Sequence, residues 1–183
     1  LDGAEWACAP ARHEAGTPNV LGVAALAAAC DTLGGFDTEA AARHEEELCR
    51  LLVDGLNGIE GVEILKLWDD SQDCVGIVTF TVDGYEPGEV ASYLSAEHGI
   101  GVRDGRFCAH PLLARVGRPG GAVRASLGLG SSSADVDRLL AALRTLVAQG
   151  PAWTHAKTDG VWSPAPETRP GLAQSGEGAS QCI

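Results

Sequence analysis

Positive charge is what this sequence has least of. Against 25 Asp and Glu stand 13 Lys and Arg, a formal net charge of −12 at pH 7. No basic stripe or charged block offsets the deficit, and a nucleic-acid or anionic-membrane partner would require the opposite surface. Long apolar runs are missing too. Nothing approaches the ~18 apolar residues of a membrane span, since the Ala-rich stretch Val20 to Cys30 is too short and too small in side chain. No basic–apolar–small-residue leader opens the chain, so neither secretion nor membrane insertion is expected. The 6 cysteines (Cys8, Cys30, Cys49, Cys74, Cys108, Cys182) never fall in a Cys-x-x-Cys spacing. The 5 histidines show no ligand spacing either, so a disulfide framework and a metal site are not expected. Thiols scattered in this way fit a reducing cytoplasm. Gly128-Leu-Gly130-Ser-Ser-Ser lacks the Lys of a phosphate-binding P-loop and the full dinucleotide-binding glycine pattern, which leaves helix capping as its reading. The chain also begins at Leu1 rather than Met, as though cut from something longer.

What is present supports a packed fold. With 183 residues, 45% hydrophobic and 21% charged, the chain is long enough for one domain, or one domain and a tail. Thr17-Pro18-Asn19 starts an Ala-rich helix that Gly34-Gly35 ends. A second helix from Asp37 or Thr38 carries Leu48, Leu51, Leu52 and Leu56 opposite an acidic face. Strands are expected over Val62 to Leu67 and Cys74 to Val82, with a turn at Asp69-Asp70-Ser71 between them. Pro87 opens a short helix with Val90, Tyr93 and Leu94 inward, ending near Gly99. Two more strands, Ile100 to Arg103 and Ala122 to Leu127, precede a last helix. Ser132 and Asp135 cap that helix at capping-box spacing, and Val136, Leu139, Leu140, Leu143, Leu146 and Val147 form its stripe. Residues 36–149 therefore read as an α+β domain with helices packed on a small sheet. From 150 to 183 the composition turns to Pro, Gly, Ser, Thr and Gln, which predicts a disordered tail.

The chemistry gathers between Gly99 and Ser126. Cys108 lies in a polar loop punctuated by Gly and Pro, with Arg103 and Arg106 before it and His110 after it. Cations near a thiol favour the thiolate, which is the reactive form. The bland alternative, a thiol that happens to lie in a surface loop, is about equally consistent with the residues. Arg124 alternates with Val123 and Ala125, so it faces away from them, either to solvent or as a two-pronged clamp on a carboxylate. Glu14-Ala-Gly-Thr17-Pro-Asn19 is a turn and cap, or an anion site at a helix start.

Three of these stretches occur together and in order in one family. Arg12-His-Glu-Ala-Gly-Thr-Pro-Asn-Val-Leu-Gly22, Val102-Arg-Asp-Gly-Arg-Phe-Cys-Ala-His-Pro-Leu-Leu113 and Val123-Arg-Ala-Ser-Leu127 resemble the C-terminal part of class V PLP-dependent aminotransferase-fold enzymes. The likeness is to their cysteine desulfurase and selenocysteine lyase branch, and it spans residues 10 to 148. It implies a type I PLP-transferase small domain over 36–149, preceded by a remnant of the large domain with its connecting helix over 1–35. It implies pyridoxal 5′-phosphate as cofactor, L-cysteine or a related amino acid as substrate, a homodimer, and a possible sulfur-acceptor protein. Cys108 would take sulfur as a persulfide and leave alanine, Arg124 would hold the substrate carboxylate, and Thr17 would bind the cofactor phosphate of the neighbouring subunit. Such enzymes hold the cofactor through a large-domain lysine, and neither Lys66 nor Lys157 matches its context. The expectation is thus a C-terminal piece that is inactive alone. A class V relative performing transamination, epimerisation or C–S lysis without a persulfide is the alternative, as is a non-catalytic dimerisation or sulfur-relay module.

Overall fold

A computed structural model describes residues 3, 5–14, 16–68 and 75–169. The chain forms two compact units, Leu1–Ala41 and Ala42–Ile183. In the first, a single 3-10 turn at Ala11–His13 precedes helix α1, Val20–Gly34. Its N-cap is Asn19 rather than Thr17: the Asn19 Oδ1 accepts the Gly22 N–H at 2.9 Å, satisfying a donor that the first turn leaves open. No residue of α1 is buried.

Helix α2, Thr38–Asn57, follows, with Asp37 accepting the Ala40 N–H at 3.0 Å. It buries Leu48, Cys49, Leu52 and Leu56, whereas Leu51 turns outward. Strands β1 (Val62–Ile64), β2 (Ile77–Val82), β3 (Arg103–Gly105) and β4 (Ala122–Ser126) form one antiparallel sheet in the order β1-β2-β4-β3. Helix α3 is Pro87–His98, α4 is His110–Arg115 and α5 is Ser133–Gln149.

One sheet face presents Val78, Phe80, Val82, Val123 and Ala125 to Leu52 and Leu56 of α2, Val90, Tyr93 and Leu94 of α3, and Leu140, Leu143 and Leu146 of α5. The period-2 pattern of the strands and the 3.6-residue pattern of the helices thus meet in one core. Both arms of the expected capping box at Ser132 and Asp135 are present. Val147, expected inward, is exposed, and Ala142 is buried instead.

The expected strand at Ile100 to Arg103 is displaced to Arg103–Gly105. Gly99, with φ 64°, and Ile100 close the end of α3: their N–H groups reach Ser95 O and Leu94 O, a Schellman pattern that leaves neither for a sheet. Helix α4 was not expected, because six residues are too few to show a period. The turn at Asp69-Asp70-Ser71 and the first residue of the expected Cys74 to Val82 strand lie outside the described residues.

Part of the expected disordered tail is ordered. Strands β5 (His155–Thr158) and β6 (Val161–Pro164) pair as a hairpin. Asp159 (φ 51°) and Gly160 (φ 84°) form the two-residue turn, with left-handed conformations that Asp-Gly tolerates. Residues 170–183 lie outside the description.

The hairpin is held to α3 by polar groups rather than by aliphatics. His155, whose side chain is fully buried, bonds Glu97 Oε1 at 3.0 Å through Nε2 and Ser92 Oγ at 2.8 Å through Nδ1. Glu97 also accepts the N–H groups of Ala152 and Trp153, while Glu86 receives Lys157 and the Trp162 indole. Burial alone would raise the Glu97 carboxyl, but these donors outweigh it and hold it below the usual carboxylate value.

A group with a depressed folded-state pKa stabilises above its ordinary value and loses that contribution as pH falls through the lowered one. The hairpin should therefore stay docked through the ordinary carboxylate range and loosen only below it. Glu97→Ala strands buried His155 and should weaken docking by about 3 kcal/mol. Amide exchange over residues 152–164, measured at neutral pH, should then speed by about 100-fold, and unchanged exchange would show that the pair does not hold the hairpin.

Candidate active site

Strand β4 places its odd and even residues on opposite faces. With Val123 and Ala125 in the core, Arg124 projects from the other face, paired in register with Thr79 of β2 on one side and Arg103 of β3 on the other. Two arginines directly opposite on neighbouring strands repel each other, so this face is built to receive negative charge. Among the described residues the buried Arg124 Nε has no hydrogen-bond partner, and the centre of its guanidinium lies 5.6 Å from the Phe107 ring centroid. The ring covers the cation on one side. An oxyanion that accepts from Nε would satisfy an atom otherwise costing about 1–3 kcal/mol to bury.

The loop from Arg106 to Gly120 closes over this same face. Its two ends meet at Gly105 (φ 88°) and Gly121 (φ 106°), where a Cβ on Gly121 would stand 2.6 Å from the Gly105 carbonyl oxygen. Inside, the Arg106 Nε donates to Pro119 O at 2.9 Å, and Arg118 pairs with Glu63 of β1.

The tip is a tight turn, with Ala109 N–H bonded to Arg106 O at 2.7 Å. Its central residues, Phe107 (φ 54°) and Cys108 (φ 58°), are both left-handed. Asn or Gly normally fills such positions, and holding side chains there costs of order 1–2 kcal/mol each. The strain puts Phe107 over Arg124 and leaves Cys108 exposed beside it in the chain. His110 then opens α4, with Pro111 in its first turn.

Of the residues singled out from sequence, Arg124 and Cys108 are thus joined through Phe107. Arg106, expected beside the thiol, commits its Nε to Pro119, and Arg103 stands in register with Arg124 instead. Among the described residues no hydrogen bond or ion pair involves the Cys108 thiol. Thr17 is exposed in the bend before α1, in the first unit. Sequence reading missed Phe107, whose signal was a lone aromatic between Arg106 and Cys108, and missed the Gly105–Gly121 closure, which only spatial proximity reveals.

Known proteins share this arrangement of sequence and fold. The family model described as aminotransferase class-V matches residues 1–139. A probable cysteine desulfurase of Pseudomonas putida is 41% identical over 135 residues, covering 74% of this chain and 32% of that protein. A cysteine desulfurase of Cronobacter sakazakii is 35% identical over 142 residues, 78% of this chain and 34% of that one. Among solved structures, the apo cysteine desulfurase of Thermococcus onnurineus superposes with a TM-score of 0.72 at 34% identity, over 80% of this chain and 36% of that one. The Escherichia coli cysteine desulfurase CsdA, in an S-sulfonic acid form, gives a TM-score of 0.62 at 35% identity, over 71% and 31%. The chain spans about a third of the length of the curated relatives it matches.

The loop closure makes a direct prediction. Gly121→Ala adds a Cβ against backbone at a positive φ, and should destabilise the fold by about 2–4 kcal/mol. Urea unfolding measures this, and a loss below 0.5 kcal/mol would mean the loop base can part without penalty.

Proposed function

Because the chain belongs to the aminotransferase class V family, we propose that it is the C-terminal part of a cysteine desulfurase-like enzyme that converts L-cysteine to alanine and a persulfide on Cys108. The observation that carries this reading is the coupling of a half-buried forked cation, with one unpartnered nitrogen, to an exposed and strained thiol through the Phe107 ring.

Arg124 holds the substrate carboxylate. Its planar fork matches two oxygens and fixes the direction in which the substrate side chain points. The neighbouring Arg103 adds positive potential that a carboxylate relieves. Cys108 then attacks the substrate sulfur. The new S–S bond forms as the Cβ–S bond breaks, the electron pair stays with carbon, and a proton taken up there completes alanine. An exposed loop tip suits this role, because the sulfur must next be handed on to an acceptor, which we take to be a protein thiol.

The cofactor of this reading is pyridoxal 5′-phosphate, which when bound supplies an electron sink for charge released at the substrate. The residues here fit it in part. Arg124 offers the carboxylate site, and the Thr17 hydroxyl, exposed before a helix start, offers a phosphate ligand toward a neighbouring subunit of a homodimer. A lysine to hold the aldehyde is not among them. Lys157 is ion-paired with Glu86, and Lys66 lines a separate cavity with Cys49 and Trp68. The lysine therefore belongs to the length of the relatives that this chain does not span, and the 183-residue chain mixed with the cofactor should release no alanine from cysteine. We place the enzyme in the cytoplasm, where its exposed cysteines stay reduced.

Two substitutions in the complete enzyme test the reading together. Cys108→Ser should leave cofactor binding intact and reduce sulfide release from cysteine by orders of magnitude, since a hydroxyl cannot form a persulfide. Arg124→Lys keeps the charge and loses the fork, so cysteine binding should weaken by about 1–3 kcal/mol, seen as a raised KM. Near-normal desulfuration by Cys108→Ser would instead favour a class V relative that works without a persulfide.

A further inference from the structure

Two more unpartnered polar atoms lie away from Arg124. Among the described residues Thr81 Oγ1 and Arg118 Nε are both buried without a hydrogen-bond partner, and both residues line one cavity of about 280 Å³ at the end of β2. Three observations bring them together. Thr81 is paired in register with Glu63 on the adjacent strand, Glu63 receives the Arg118 guanidinium, and the Arg118 segment returns to the loop base at Gly121. Asp83 and Tyr85 share the cavity with an apolar wall that includes Pro87 and Val123. The Tyr85 hydroxyl donates to Leu146 O of α5, so the carboxylate of Asp83 is the acidic group of the cavity wall.

The charges around the cavity decide what fits. Arg118 Nε is a donor and nothing else, so an occupant must bring an acceptor to it. A simple anion would do that, but it would meet the Asp83 carboxylate on the cavity wall, and Glu63 already offsets the charge of the Arg118 guanidinium. A simple cation would suit Asp83 and leave the Arg118 Nε unsatisfied. A molecule with an anionic end and a cationic end answers both demands. We propose that this cavity is a site for a small zwitterion, an α-amino acid with a short side chain. Its carboxylate accepts from Arg118 Nε and the Thr81 hydroxyl, and its ammonium faces Asp83. The site is separate from Arg124 and does not depend on the desulfurase reading. Occupancy ties Arg118, in the second half of the 106–120 loop, to β2, and so stiffens the loop whose other half carries Cys108.

The test is a titration of the full chain with L-alanine, following the backbone amide resonances of Gly84, Gly117 and Gly121. Acetate and methylammonium serve as the half-ligand arms. L-Alanine should shift these resonances saturably, and neither half-ligand should match its affinity. Thr81→Val preserves shape and should weaken alanine about tenfold, the scale of one lost hydrogen bond to a charged group. Asp83→Asn should do the same. The proposal is overturned by a flat response to alanine, by equal binding of acetate, or by unaltered affinity in either Thr81→Val or Asp83→Asn.

Discussion

The alternation of side chains along β4 is the constraint on which the rest of the structure depends. Five residues place Val123 and Ala125 in the core and Arg124 on the opposite face. A slip of one residue would drive a guanidinium among Phe80, Leu94 and Leu143 and expose the apolar pair, so burial of the core fixes the register to within one position. The functional cation is therefore oriented by hydrophobic packing it takes no part in. β4 is also flanked on both sides, by β2 and β3, so its backbone cannot twist away to relieve the Arg103–Arg124 repulsion. Relief has to come from a ring, a counter-ion or a substrate.

The loop above Arg124 solves a second problem, which is to hold a thiol in the open without letting it wander. Two glycines in contact at the base, one hydrogen bond from Arg106 to Pro119 and one ion pair from Arg118 to Glu63 pin the loop at three heights. What is left to vary is the tip, where two side-chain-bearing residues sit in left-handed conformations. A strained tip on a fixed base suits a nucleophile that must first meet a substrate and then a different acceptor. Phe107 shares this turn with Cys108 and lays its ring over Arg124.

Much of this was legible from residues alone. The helical stripes of α2, α3 and α5 and the β-branched run of β2 all produce the elements they predict, because each is long enough for its period to show. The side of β4 on which Arg124 lies follows from alternation in the same way. The misses have physical causes. Gly99 and Ile100 look like the start of a strand, but helix termination consumes them. Thr17 looks like a cap, yet Asn19 stands closer to the helix and takes the role. Arg106 adjoins Cys108 in sequence while its guanidinium is turned to a carbonyl thirteen residues away. Sequence neighbours of a loop cysteine are a poor guide to its spatial neighbours, since a tight turn points consecutive side chains apart.

Helix α1 and the β5–β6 hairpin invert what composition leads one to expect. α1 is apolar on every side, with Leu21, Val23 and Leu26 exposed, and a helix of that kind is stable only where something covers it. The hairpin has few aliphatics and read as disordered, yet it is docked because a buried imidazole and a carboxylate bond each other, and the carboxylate also takes the N–H groups of Ala152 and Trp153. Both nitrogens of His155 are engaged, one with Glu97 and one with Ser92. Such a contact adds little net energy over an apolar one, but it can be made in only one geometry. The hairpin docks through Ser92 and Glu97 of α3 and through Glu86 just before it, so it attaches to the helix surface with polar groups in place of a hydrophobic face.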